Sequence, residues 1–366
     1  MEITDKEILG ALSSVMDPDL KRDLVSLGMI EDVKTEGKKV TFKVVLTTPA
    51  CPLKNKIRQD CIDAIHRLSS ELIVEPEMTS RVSTQKAVPS EKQRLPGVKN
   101  IIAVVSGKGG VGKSTVASNL AVALAMTGSR TGLVDADIYG PSVPLMFGLE
   151  DAKPEIFERD GKPMMKPLVK YGVKLNSIGF LVDAEKALIW RGPMASSAMK
   201  QIISDTDWEE LDYLIIDTPP GTGDIHLTLA QTYQMAGIAI VTTPQQVALA
   251  DALKAVNMFR QDGIRVPVLG LIENMSWFTP AELPDNRYFI FGKDGGTRLA
   301  EACGLPLLGQ IPVVQGICES GDQGVPVALD SKTKEGKAFL ELAQAVSQQI
   351  SIWNAFTEMT DVKPCK

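Results

Sequence analysis

The spacing of apolar residues changes period several times along this chain, and those changes divide it. Ile3 to Met16 carries apolar residues at helical spacing, and Val40 to Leu46 alternates as a half-buried strand does. Leu53 to Leu68 returns to helical spacing, and Leu72-Ile73-Val74 reads as a closing strand. Together they predict a small α+β domain over 1–78. Residues 79–97, TSRVSTQKAVPSEKQRLPG, turn polar with two prolines and read as a linker. If flexible, such a tether spans roughly 25 Å. Strand-like runs then recur at Ile101–Val105, Leu133–Val134, Tyr213–Ile216, Ile238–Val241, Val268–Ile272 and Leu307–Gln310, with helical patterns between several of them. This alternation predicts an α/β domain over 98–356, a mostly parallel, doubly wound sheet covered on both faces. Residues 357–366 read as a tail. Ala338 to Phe356 has an apolar stripe through Phe339, Leu342, Val346, Ile350 and Trp353, and no Lys or Arg. That pattern predicts a helix packed on its own domain rather than on a membrane.

The first strand of the larger domain runs into Gly107-Lys108-Gly109-Gly110-Val111-Gly112-Lys113-Ser114-Thr115, and a helix-like stretch, Val116 to Ala125, follows. Strand, glycine loop and helix make the context of a phosphate site. Gly109, Gly110 and Gly112 let the backbone wrap closely so that N–H groups face a phosphate chain, and the helix N-terminus adds partial positive charge. Lys113 is placed for the β- and γ-phosphates and Ser114 for Mg²⁺. Lys108 is not needed for the nucleotide of its own subunit, and is either a solvated charge or a group directed elsewhere. Leu214-Ile215-Ile216-Asp217 is an apolar strand ending in a carboxylate suited to Mg²⁺, followed by Thr218-Pro219-Pro220-Gly221-Thr222-Gly223-Asp224. Asp135 and Asp137, in VDADIYGPS, end another strand, and Asn274 ends a third.

The loop resembles the deviant Walker A loop of the MinD/ParA/nitrogenase-iron-protein ATPases. That resemblance implies that Lys108 crosses a homodimer interface to the partner's ATP. It further implies that Asp137 orients the attacking water while Asp135 supports the metal, and that residues 218–224 sense the γ-phosphate. Asn274 would read adenine, unless it is a cap or turn residue. DADIYGPSVP, Arg191-Gly192-Pro193-Met194, DTPPGTGDIHLTLAQ and ENMSWF together resemble the Mrp/ApbC family of iron–sulfur cluster carrier ATPases. DPDLKRDLVSLGMI and Leu46-Thr47-Thr48-Pro49-Ala50-Cys51-Pro52-Leu53 resemble the small iron–sulfur assembly domain often found ahead of them. The resemblance implies a dimeric ATPase, using ATP and Mg²⁺, that binds an iron–sulfur cluster and passes it to apo-proteins.

One feature departs from that family. The C-x-x-C expected after ENMS is missing, and its positions fall on Pro280 and Leu283. Of five cysteines, Cys51 sits at a strand-to-helix turn, where exposure and a helix N-terminus would lower its thiol pKa. It is a candidate iron–sulfur ligand or a structural cysteine. Cys61 reads as core, Cys303 and Cys318 as buried packing residues, and Cys365 as part of the tail. The two histidines, His66 and His226, are too few for a multi-histidine metal site.

A net charge of −6 disfavours a nucleic-acid binder with a broad basic surface. No apolar run reaches membrane-spanning length, and Met1-Glu2-Ile3-Thr4-Asp5 does not open a signal peptide, so a cytoplasmic protein without membrane partners is expected. The missing cysteine pair leaves a competing expectation, an ATP-gated adaptor or a positioning ATPase without a cluster.

Overall fold

The computed structural model describes residues 3–84, 92–182, 190, 192–280, 282–283 and 285–358. The described chain forms two compact units, one from residues 3–84 with 347–358, the other from 92–346.

In the first unit, α1 (Asp5–Leu12) begins at Thr4, whose hydroxyl accepts the Glu7 N–H while the Glu7 carboxylate accepts the Thr4 N–H. This reciprocal cap fixes the helix start. A short antiparallel pair follows, β1 (Met16–Asp17) and β2 (Arg22–Asp23). Then β3 (Ile30–Glu36) and β4 (Lys39–Leu46) pair antiparallel, α2 (Lys54–His66) crosses over, and β5 (Ile73–Ser80) returns parallel to β4. Ile8, Leu12, Leu24, Val40, Phe42, Ile57 and Ile65 close the core. The sequence pattern missed β3 because this edge strand buries none of its residues completely and carries four charges in seven positions, IEDVKTE. It also stopped β5 short: the strand runs to Ser80 along β4, two residues into the expected linker.

The second unit is the expected parallel sheet. Its strands and helices run β6 (Val98–Ser106), α3 (Lys113–Met126), β7 (Thr131–Asp135), α4 (Val143–Met146), a hairpin β8 (Glu155–Arg159) and β9 (Lys162–Lys166), then β10 (Leu168–Lys170) and β11 (Val173–Ser177). They continue as α5 (Gly192–Ser204), β12 (Leu211–Asp217), α6 (Asp224–Thr232), β13 (Gly237–Thr242), α7 (Gln246–Arg260), β14 (Val268–Glu273), α8 (Gly295–Cys303), β15 (Leu307–Gln310) and α9 (Gln315–Asp322). Strand order is β10-β11-β7-β12-β6-β13-β14-β15, with only β10 antiparallel to its neighbour. β7, β12, β13 and β14 are buried along their whole length, which is why they read as unbroken apolar runs. β8 to β11 escaped the pattern because lysines, prolines and turn residues interrupt their short apolar stretches.

The last helix, α10 (Lys334–Glu358), buries Phe339, Leu342 and Val346 within the second unit. From Ser347 onward it belongs to the first unit, so residues 347–356 leave the domain that the sequence assigned them to. Polar residues decide this. Ser347, Ser351 and Asn354 are buried at helical spacing, Gln348 Nε2 donates to Asp19 Oδ1 at 2.6 Å, and Asn354 Nδ2 donates to the Ser83 carbonyl at 3.0 Å. A reading of apolar spacing cannot see such a face. No described helix is long and apolar enough to cross a membrane.

Candidate functional site

Ser106 ends the central strand β6, and the chain turns at once through the glycine loop into α3. Two glycines are there for positive φ: Gly110 at +78° and Gly112 at +79°. Two are there for closeness. A Cβ on Gly107 would strike the backbone of Asp251 and Ala252 in α7, and one on Gly112 would strike the Asn274 amide. Gly109 has open space, its nearest neighbour Pro220 being 3.9 Å from a built Cβ. Asn274 is buried and donates from Nδ2 to the Val111 carbonyl at 2.8 Å, bracing the loop from the end of β14. The Lys108 side chain is half-buried and forms no ion pair among the described residues. Thr115 and Ser114 are half-buried on the first turn of α3.

The parallel register brings three carboxylates to the same edge. Asp135 pairs with Asp217 across β7 and β12, and Asp137 lies two residues beyond. Lys113 Nζ is 2.5 Å from Asp217 Oδ1, 3.7 Å from Asp137 Oδ2 and 3.3 Å from the Ser114 hydroxyl. Asp135 is fully buried and accepts from the Asp137 N–H (3.2 Å), the Val143 N–H (3.0 Å) and the Ser177 hydroxyl (3.0 Å). Burial, then the charge of Asp217, raises its carboxyl pKa well above the usual range. Burial raises Asp137 too, against the pull of Lys113. Asp217 Oδ2 and Asp137 Oδ1 are buried acceptors with no donor among the described residues. Orphaned carboxylate oxygens beside a serine hydroxyl suit a hard cation shared with phosphates, which needs few protein ligands.

Two residues here were not anticipated. Ser177, on the unrecognised β11, completes the shell of Asp135. His226, on α6, places Nε2 3.1 Å from the Thr218 hydroxyl. The residues after Thr218 are mostly exposed, apart from the Gly221 N–H, which donates to the Ser106 carbonyl at 2.9 Å.

Cys51 lies between β4 and α2, half-buried in a crevice lined by Asp17, Asp19, Thr48, Gln348 and Ser351. The expectation of an exposed, acidified thiol is corrected. Burial raises the Cys51 pKa, the Leu53 N–H opposes it, and Asp19 and Asp17 push it further up. Desolvation outweighs the helix end. Cys61 is core as expected, its thiol pushed up to about 12 by burial. Cys303 is half-buried against the second unit's core, but Cys318 is exposed on α9, which corrects its reading as a buried packing residue. Cys365 lies outside the described residues. Where the absent cysteine pair would fall, Arg287 stacks on Trp277 at 4.2 Å and Phe278 pairs with Tyr288 and Val313. Leu283 is about half exposed. Among the described residues, no three or more His, Cys, Asp or Glu side chains gather as a self-sufficient metal site.

The family model described as NUBPL iron-transfer P-loop NTPase matches residues 97–347, and that of an iron–sulfur cluster assembly protein matches residues 5–73. An iron–sulfur cluster carrier protein of Synechocystis sp. is 46% identical over 351 residues, covering 96% of this chain and 99% of that one. The Deinococcus radiodurans protein of the same description is 47% identical over 350 residues, covering 94% and 95%. A nucleotide-binding protein of Archaeoglobus fulgidus, solved with ADP, is 37% identical with a TM-score of 0.55, covering 63% of this chain and 88% of that one. A glycine loop braced by Asn274, a lysine set among carboxylates on adjacent parallel strands, and a separate small α+β unit accord with both matches. The chain therefore belongs to the iron-transfer P-loop NTPases, in the form that carries an iron–sulfur cluster assembly domain ahead of the NTPase.

Proposed function

We propose that this chain is a homodimeric iron–sulfur cluster carrier that binds and hydrolyses ATP with Mg²⁺ and delivers clusters to apo-proteins in the cytoplasm. The observation that carries the ATPase reading is the meeting of Lys113 with Asp217 and Asp137 at the mouth of the glycine loop. The backbone N–H groups of residues 107–115 cradle the phosphates, and Lys113 turns from the carboxylates to the β- and γ-phosphates as they arrive. Ser114 and Asp217, supported by Asp135, hold Mg²⁺, which supplies charge neutralisation to the phosphates. Asp137 orients the water whose oxygen bonds to the γ-phosphorus as the bond to the β-phosphate oxygen breaks. Asn274 holds the loop and reaches adenine from the same position.

Lys108 acts in the partner's site. Lys108→Ala should bind ATP within about threefold of wild type yet lose hydrolysis by about 100-fold, as loss of one charge stabilising the transition state does. Turnover that stays at wild-type level, or that does not vary with protein concentration, removes the interface role.

The cluster is cargo, and its ligands come from more than one chain. Cys51 contributes one, with the rest from a second copy or the receiving protein. The test is reconstitution with iron and sulfide in the absence of oxygen, followed by visible absorption and bound iron. Wild type should take up a cluster, and Cys51→Ser should retain about half of the iron or less. A wild-type chain that takes up none would leave the ATP-gated adaptor as the reading.

A further inference from the structure

Thr218 follows Asp217 directly, and both are fully buried. The Thr218 N–H and hydroxyl both donate to the Val104 carbonyl on β6, at 3.3 and 2.9 Å. With its proton committed there, the hydroxyl oxygen is left to accept. The group facing it is His226 Nε2, 3.1 Å away on the first turn of α6. The imidazole is 1% exposed and meets Phe259 of α7 edge-on, with centroids 6.4 Å apart. Its Nδ1 is buried without a hydrogen-bond partner among the described residues. Leaving a ring nitrogen unsatisfied in the core has a cost that a phenylalanine would avoid. What sets the histidine apart from such a filler is the ring nitrogen that faces the Thr218 hydroxyl.

We propose that His226 is a positioning residue for ATP hydrolysis: by donating Nε2–H to Thr218 it fixes the end of β12, and hence Asp217, and ties the exposed segment after Thr218 to α6. The inference rests on the ATPase reading above. Burial, with the Lys113 charge adding to it and the Gly223 and Pro219 carbonyls opposing it, holds the imidazole pKa at about 4, so near pH 7 the ring is neutral and has a single N–H to give. Among the described residues the Asp217 carboxylate is anchored on one oxygen, by Lys113, while its other oxygen has no donor. Its aim therefore depends on the backbone at Thr218, which the His226 bond holds. Small displacements at such a centre cost rate more than they cost binding.

The test uses the full chain with three substitutions. His226→Phe keeps a ring and removes the N–H, His226→Gln keeps a donor, and Thr218→Val removes the acceptor. His226→Phe and Thr218→Val should each lower kcat for ATP by about tenfold or more, while affinity for a non-hydrolysable ATP analogue and the melting temperature change little. The double variant should lose no more than Thr218→Val alone, because that substitution already removes the bond to His226 along with the hydroxyl's bond to Val104. His226→Gln should recover most of the rate. A His226→Phe or Thr218→Val protein within about twofold of wild type overturns the inference. So does a loss that glutamine fails to restore, which assigns the ring to packing. A wild-type chain that hydrolyses no ATP overturns the underlying ATPase reading instead, and is recognised before any variant is compared.

Discussion

In Lys113→Ala, ATP turnover is expected to fall by about 1,000-fold, and the protein is expected to lose about 3 kcal/mol of stability or more. Both effects follow from one ammonium in two relations. Toward a nucleotide it is the charge that meets the β- and γ-phosphates. Toward the fold it is the partner of Asp217, at 2.5 Å, with 6% of the lysine side chain and none of the aspartate's exposed. Removing one member of a buried pair leaves the other charge uncompensated, and Asp135 and Asp137 stand close enough to make that worse. Steady-state hydrolysis and urea unfolding read the two losses separately. Adding Asp217→Asn to Lys113→Ala should recover most of the stability and none of the turnover. A double variant that recovers turnover would show that neither group serves the phosphates.

Gly112→Ala should weaken ATP binding by about 100-fold while leaving the sheet intact by circular dichroism. The new methyl meets two obstacles. Backbone φ is +79°, a region costing a non-glycine residue on the order of 1–2 kcal/mol, and the Asn274 amide occupies the space a Cβ needs. Relief requires Asn274 to swing away, which breaks its 2.8 Å bond to the Val111 carbonyl and loosens the loop whose N–H groups would receive phosphate. Gly109→Ala, with no positive φ and no atom of the described residues closer than 3.9 Å, is the control and should leave thermal stability unchanged. Isothermal titration with a non-hydrolysable analogue measures the affinity. A Gly112→Ala protein with the affinity of wild type would remove the bracing role of Asn274.

What could be seen in the sequence follows from the physics of each element. Strands buried on both faces announce themselves, as Leu214-Ile215-Ile216-Asp217 does, because every position is apolar until the sheet edge, where a carboxylate appears. β3 does not, since a half-wet edge strand tolerates charge, and β11 does not, since Lys174 and Asn176 interrupt its apolar positions. The glycine loop was legible because backbone geometry restricts the residue type. Ser177 and His226 were not, because a hydroxyl or an imidazole acquires its role only from the strand register or helix turn that delivers it. The Cys51 thiol was misjudged in direction. A helix N-terminus can be read from sequence, whereas the desolvation that overrides it is a property of packed neighbours, among them Gln348 and Ser351 from the far end of the chain.

That far end sets an order of events during synthesis. The bonds that seat α10 in the first unit join Asp19 to Gln348 and Ser83 to Asn354, pairs separated by 329 and 271 residues. At typical elongation rates of about 5–20 residues per second, Asn354 follows Ser83 by roughly 15–50 s. The first unit therefore waits for the whole NTPase to be made before its last element can dock, with the crevice of Cys51 unwalled on the Gln348 side throughout. A nascent chain is the stage of this protein's life at which that thiol is most open to reagents, oxidants and iron alike.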